Sequence, residues 1–179
     1  MKYYKYLDLN FETVSAKLND YINKHSQLFL VDQRTSSWKS VDLTDLLKDV
    51  PELSEMLAPL NITLRYAAFF VSDYATGTLH IDHDINSNCR IIIPVLNCEN
   101  TETRFFTTSA APEKVLQPNG IPLLKLDPSK CTHVDQYYLD KPLIFRNDQP
   151  HQVVSNNPNN PRISFTMGFV EDIEYLLYE

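Results

Sequence analysis

The segment Thr78-Leu79-His80-Ile81-Asp82-His83-Asp84 sets an imidazole and a carboxylate two residues apart, at His80 and Asp82. On an extended strand alternate side chains face the same way, so these two project together and can grip one metal ion. The best third ligand is His151, which follows the strand-and-turn PLIFRNDQP and opens the run HQVVS. Two imidazoles and one carboxylate occupy one side of a metal and leave coordination positions open, which suits a ferrous ion that must also hold reactants. His83 and Asp84 are a competing pair, but neighbours on a strand point to opposite faces. A loop leaving the site suits them better, with Asp84 solvated or touching a substrate. His25 and His133 have no partner in sequence and read as structural or surface histidines.

A second group lies in RISFTMGFV, residues 162–170. Strand alternation puts Arg162, Ser164 and Thr166 on one face and Ile163, Phe165, Met167 and Phe169 on the other. The apolar face can pack outward while the polar face points into a barrel. An arginine and a hydroxyl on an inward face need a reason. An anionic ligand supplies one, because a guanidinium fork pairs with a carboxylate in bidentate fashion and the hydroxyl adds a donor. Arg90 opens the apolar run RIIIPVLN. It is either a strand-end cation in water or a second carboxylate-binding arginine at the cavity mouth. Asn97 and Arg104 fit turn and surface roles better than cavity roles. Of Arg65 and Tyr66 only one can face inward, and the flanking alternation does not choose between them.

The elements that must position these residues fall into two textures. ETVSAKLNDYINK at 12–24 spaces Val14, Leu18 and Tyr21 as an amphipathic helix. LFLVD at 28–32 predicts a short strand, and residues 44–60 predict two short helices split by Pro51, which is tolerated in a first turn. From Ile62 onward the chain turns to β-type runs: ITLRYAAFFVSDY, LHIDHD, RIIIPVLNC, TETRFFTTS, THVDQYYL, KPLIFRN, HQVVS and RISFTMGFV. Such runs between Asn, Asp and Pro clusters predict roughly eight strands in an antiparallel sandwich or barrel. With three glycines in the chain, Asn, Asp and Pro must supply most turns, NNPNNP at 156–161 being the clearest. SAAPEKVLQPNGIP at 109–122 predicts a long loop, and VEDIEYLLYE at 170–179 a closing helix with Ile173, Leu176 and Leu177 inward. The expected fold is mainly β, a jelly roll with N-terminal helices on one face. It forms a single domain over 1–179, with a helical part at 1–61 and a β core at 62–170.

Composition bounds the function. The chain has 179 residues, 43% hydrophobic and 22% charged, which is ordinary globular composition. Its net charge of −7 argues against broad nucleic-acid binding. No apolar run approaches the ~20 residues of a membrane helix. MKYYKYLDLNF does not read as a signal peptide. Cys89, Cys98 and Cys131 show no paired metal spacing, so the expectation is free, mostly buried thiols in a cytoplasmic protein.

Taken in order, the H-x-D at 80–82, the His 69 residues after Asp82, the Arg 11 residues further on and the R-x-S at 162–164 resemble the Fe(II)/2-oxoglutarate-dependent oxygenase superfamily. The resemblance covers roughly residues 62–170, and HIDHDINSNCRIIIPVLNCENTETRFF is similar to a bacterial and phage subgroup. It implies a double-stranded β-helix, the cupin-like form of the jelly roll. It also implies Fe(II) on His80, Asp82 and His151, and 2-oxoglutarate with its distal carboxylate on Arg162, helped by Ser164. Dioxygen is the oxidant and ascorbate an accessory reductant. Arg90 joins the co-substrate residues by analogy with the aspartyl/asparaginyl β-hydroxylase type, although the His those members carry two residues on is Ile92 here. The implied reaction couples conversion of 2-oxoglutarate to succinate with oxidation, usually hydroxylation, of a small molecule or peptide. Asp82 disfavours halogenation, for which related enzymes replace the carboxylate with Gly or Ala. The rival readings are a cupin-like metalloenzyme that does not use 2-oxoglutarate, and a non-enzymatic jelly-roll binding or structural module.

Overall fold

A computed structural model describes residues 1–29, 36–72, 75–82, 88–116, 122–155 and 161–179. His83 and Asp84, the end of the strand expected at 28–32, and most of the NNPNNP turn lie outside the described residues. In chain order the elements are β1 (Tyr4–Tyr6), α1 (Glu12–Lys24), β2 (Ser36–Ser40), α2 (Leu43–Asp49), α3 (Glu52–Leu57), β3 (Leu64–Ser72), β4 (Ala75–Thr76) and β5 (His80–Asp82). There follow β6 (Cys89–Leu96), β7 (Thr101–Thr108), β8 (Glu113–Leu116), β9 (Pro122–Lys125), β10 (Cys131–Tyr138), β11 (Leu143–Arg146), β12 (His151–Ser155) and β13 (Arg162–Phe169). All pairings are antiparallel, in two sheets ordered β1-β11-β6-β13-β3-β2 and β10-β7-β12-β5-β9-β8, with β4 beside β12.

The first sheet has two apolar faces with different partners. Ala67, Phe69 and Val71 of β3, Cys89, Ile91 and Ile93 of β6, and Ile163, Phe165, Met167 and Phe169 of β13 form one buried cluster with the helices. Val14, Leu18, Tyr21 and Ile22 from α1, Leu46 from α2, and Leu53, Met56 and Leu57 from α3 complete it. This is the outer face, and the helical stripe read from 12–24 is the surface that covers it. A smaller cluster of Ile92, Phe105, Tyr137, Leu143 and Phe145 joins residues of both sheets and fills the space between them. Side-chain alternation along β13 therefore turns Arg162, Ser164 and Thr166 toward the facing sheet.

Several expected elements differ from the observed ones. The first sixty residues carry strands as well as helices: β1 extends one edge of the first sheet through β11, and β2 the other through β3. Both segments are polar or tyrosine-rich edge strands, so they lack the apolar alternation that marks a strand in sequence. Residues Ser26–Phe29 form a 3-10 turn where a strand was expected to start. The stretch 109–122 is not a plain loop, because β8 pairs with β9 there as an exposed hairpin arm. The closing segment forms a 3-10 turn at Glu174–Leu177 instead of an α-helix, although Ile173, Leu176 and Leu177 are buried as expected. It is held by Asp172, which accepts from the Glu174 amide at 3.0 Å, and by Arg146, which donates to Glu174 at 2.6 Å.

Asparagine serves as the turn residue. Asn61, Asn97 and Asn100 adopt φ of 49°, 51° and 57°, the left-handed region. Asn97 also donates to the Pro161 carbonyl at 3.0 Å, which gives it the turn role. Cys89 and Cys98 are buried thiols outside any disulfide, and burial raises both, Cys89 to about 12. Among the described residues no helix is long and apolar enough to cross a membrane.

Candidate active site

His80 and His151 are cross-strand partners, since β5 pairs with β12 through that one residue pair. Their rings lie 4.5 Å apart, centroid to centroid. Asp82 stands on the same face of β5, and its backbone N–H donates to Asn147 at 3.1 Å, which ties the end of β5 to the turn after β11. One ligand atom each from His80, Asp82 and His151 falls within 4.8 Å of the others. His151 is buried at 5% exposure, and His80 and Asp82 are about one-fifth exposed through their side chains.

Both imidazoles are oriented the same way. His80 Nδ1 donates to the Thr78 carbonyl at 2.8 Å, and His151 Nδ1 donates to the Gln149 carbonyl at 2.8 Å. A carbonyl oxygen only accepts, so each Nδ1 carries the proton and each Nε2 is directed at the shared site. These two carbonyls, each two residues before its histidine, are backbone groups with no signature in sequence.

The electrostatics suit a cation. Burial pushes Asp82 up, but the Arg90 guanidinium and the His80 hydrogen bond outweigh it and hold the carboxyl far below the usual range. Burial pulls His80 down, yet its hydrogen bond and charge interaction with Asp82 leave it raised overall. His151 is driven down to about 4, first by burial and then by repulsion from His80. His80 Nε2 and Asp82 Oδ1 lie 3.1 Å apart, a separation that a proton can bridge, and the lowered His151 turns an imidazole lone pair to the same place. A divalent cation can take that proton's place, which is how metal binding to histidine releases protons.

Arg162 is 1% exposed, and its Nε and Nη1 have no hydrogen-bond partner among the described residues. Ser164, two residues on, is fully buried, and its hydroxyl and the buried Thr166 hydroxyl have no partner among the described residues. A buried guanidinium without an anion is costly, by several kcal/mol for the ion before compensation. The donors present, a fork and two hydroxyls on the inner face of β13, match a carboxylate.

Arg90 does not behave as a strand-end cation in water. Its side chain is 12% exposed and its Nη1 lies 2.9 Å from Asp82 Oδ2. Its Cζ stands 5.1 Å from the Trp38 ring centre and 5.8 Å from that of Tyr66. Tyr66 is the inward member of the Arg65–Tyr66 pair, paired with Gly168 across β3 and β13. Arg104 is 41% exposed in an ion pair with Glu102, a surface role. His25 stacks on Tyr21 and reaches Asp49 at 3.5 Å, and His133 meets the Asp135 carbonyl at 3.0 Å, so neither joins the site. Three further residues escaped the sequence reading: Trp38, because β2 was not foreseen; Asn147, 1% exposed with a side-chain amide unpartnered among the described residues; and Gly168. Gly168 left a signal, since a glycine inside the last strand of a glycine-poor chain marks a close approach.

No family model matches the chain, and no curated protein does. Solved structures do. One is the non-heme alpha-ketoglutarate-dependent carbocyclase SnoK from nogalamycin biosynthesis, at TM-score 0.57 and 11% identity, covering 94% of this chain and 80% of that one. Another is HygX from Streptomyces hygroscopicus with nickel and 2-oxoglutarate bound, at TM-score 0.53 and 10% identity over 94% and 82% of the chains. A third is a prolyl hydroxylase from Trichoplax adhaerens bound to a hypoxia-inducible-factor peptide, at TM-score 0.52 and 13% identity over 100% and 88%. At these identities the likeness is one of fold, a mainly β jelly roll shared along nearly the whole chain.

Proposed function

We propose that this jelly roll, a single double-stranded β-helix domain, is an Fe(II)- and 2-oxoglutarate-dependent dioxygenase that hydroxylates a small molecule or a peptide. The observation that carries the reading is the meeting of His80, Asp82 and His151 within 4.8 Å, opposite a sheet whose inner face holds buried Arg162, with two guanidinium nitrogens unpartnered among the described residues. His80 and His151 would hold the iron through Nε2, and Asp82 through Oδ1. The bound ferrous ion and 2-oxoglutarate supply dioxygen activation, with the co-substrate leaving as succinate and CO2. The chain does the rest. The Thr78 and Gln149 carbonyls fix the tautomer of each histidine. Arg162, Ser164 and Thr166 accept the distal carboxylate of the co-substrate and set its direction. The apolar cluster of Phe105, Tyr137 and Phe145 keeps water away from the histidines.

The test is direct. Purified protein given Fe(II), ascorbate and 2-oxoglutarate should form succinate, and should show the visible absorption of an anaerobic iron–2-oxoglutarate complex. His80→Ala and Asp82→Ala should each lower succinate formation to background. Absence of both signals from the wild type overturns the reading.

A further inference from the structure

We propose that Arg90 is a positioning residue that aims the Asp82 carboxylate, and that Trp38, Tyr66 and Gly168 exist in this arrangement to hold it. The proposal rests on the metal-site reading above and adds the groups that orient its carboxylate.

Asp82 offers two oxygens with different surroundings. Oδ1 lies 3.1 Å from His80 Nε2, inside the ligand cluster, while Oδ2 lies 2.9 Å from Arg90 Nη1. A short aspartate at the end of a three-residue strand has rotational freedom about its side chain, and either oxygen, or both, could face the histidines. Anchoring Oδ2 removes that freedom and leaves Oδ1 as the single donor. The anchor must itself be fixed. The Arg90 guanidinium is placed 5.1 Å from Trp38 and 5.8 Å from Tyr66, where aromatic faces attract a cation. Trp38 is in turn held by its indole N–H, which donates to Ser40 Oγ at 3.1 Å.

Gly168 makes this possible. It pairs with Tyr66 across β3, and on its other side it sits one step beyond the Met167–Ile91 pair, next to Arg90. A Cβ on Gly168 would fall 2.1 Å from Tyr66 Cε1 and 2.3 Å from Cζ. The tyrosine ring therefore occupies the place a side chain at 168 would take, and crosses the strand toward Arg90. A planar fork suits the role, because it can donate in its plane to Asp82 while its faces meet the rings. A lysine keeps the charge but not that geometry.

The experiment is Co(II) titration of wild type, Arg90→Gln, Arg90→Lys and Gly168→Ala, followed by the visible Co(II) spectrum, with circular dichroism of the metal-free proteins and the KM for 2-oxoglutarate measured alongside. Arg90→Gln should weaken Co(II) binding by roughly ten- to a hundredfold, the range for losing a group that orients a ligand, and should change the Co(II) spectrum. Arg90→Lys should recover part of the affinity without the wild-type spectrum. Gly168→Ala, which displaces only the Tyr66 ring, should shift the spectrum in the same direction with a smaller loss. If Arg90→Gln fails to fold, Arg90→Lys and Gly168→Ala carry the test. KM for 2-oxoglutarate should stay within about threefold in the folded variants, since Arg162 is untouched. Folded variants that bind Co(II) as wild type does, with an unchanged spectrum, overturn the proposal and leave the metal site standing. A wild type that binds no Co(II) overturns both.

Discussion

Arg162 sets the proposed function against the fold. A guanidinium 1% exposed, with two nitrogens unpartnered among the described residues, should destabilise the ligand-free protein. Replacing it with methionine, similar in length and apolar, should therefore raise the ligand-free stability, by ~1–4 kcal/mol in the manner of buried ions exchanged for hydrophobes. The same variant should raise the KM for 2-oxoglutarate by about a hundredfold or more, because losing one partner of a buried charge pair costs ~2–5 kcal/mol. Chemical denaturation and initial-rate kinetics on the one variant check both halves. A methionine variant that is less stable than wild type would mean that Arg162 is held by its surroundings and not reserved for a ligand. His80, Asp82 and Arg162 were legible in sequence because two-residue spacing on a strand puts side chains on one face. The role of Arg90 was not, since its partner Asp82 lies eight residues away across a separate sheet.

At the scale of elements, α1 and α2 are joined at their ends by Asp49. Its carboxylate accepts from Lys24 at 2.6 Å and reaches His25 at 3.5 Å. The Lys24 hydrogen bond comes first in holding Asp49 below its ordinary value of 3.8, with burial opposing it. A carboxyl depressed in the folded state adds stability above its unfolded value and loses it as pH falls through the folded value. Wild type should therefore melt higher than Asp49→Asn at neutral pH, and the gap should close as the pH falls below the ordinary carboxylate range. Thermal melts of the two proteins at a series of pH values test this, and a gap that persists in acid refutes it. Asp42 acts at the other end of α2, accepting from the Thr44 and Asp45 amides at 2.8 and 3.1 Å as an N-cap. The helices were readable from the spacing at 12–24 and from Pro51 splitting 44–60. The edge strands β1 and β2 were not, because an edge strand is recruited by its neighbour's open backbone groups and not by its own pattern.

The whole molecule stores its polar cost between two sheets. The proposed site draws on β5 and β12 of one sheet and β6 and β13 of the other, so ligands that satisfy it would also bind the sheets together. Ligands that bind only the folded state stabilise by mass action, ~2.7 kcal/mol at a hundred times Kd. For a chain of this length that corresponds to a rise in Tm of roughly 5–10 °C. Mn(II) with 2-oxoglutarate, in the absence of oxygen turnover, should raise Tm by that amount, and 2-oxoglutarate should add little to Arg162→Met. Differential scanning fluorimetry with and without chelator measures it. No shift with either ligand would contradict the site as drawn.

Sequence alone determined the residue types, which residues of a strand or helix share a face and the period of each long element, because alternation and helical spacing are local properties of the backbone. That was enough to place His80 with Asp82, Arg162 with Ser164, and the apolar stripe of α1 on a sheet. Only tertiary structure decided that β12 lies beside β5 so that His151 meets His80, that Asn147 ties down the end of β5, and that Tyr66 crosses Gly168 to reach Arg90. Those contacts join residues from 24 to 102 positions apart (Arg90 to Tyr66, Gly168 to Tyr66) and arise from strand order and register. Order and register are set by the packing of the whole sandwich, which no local stretch of the chain contains.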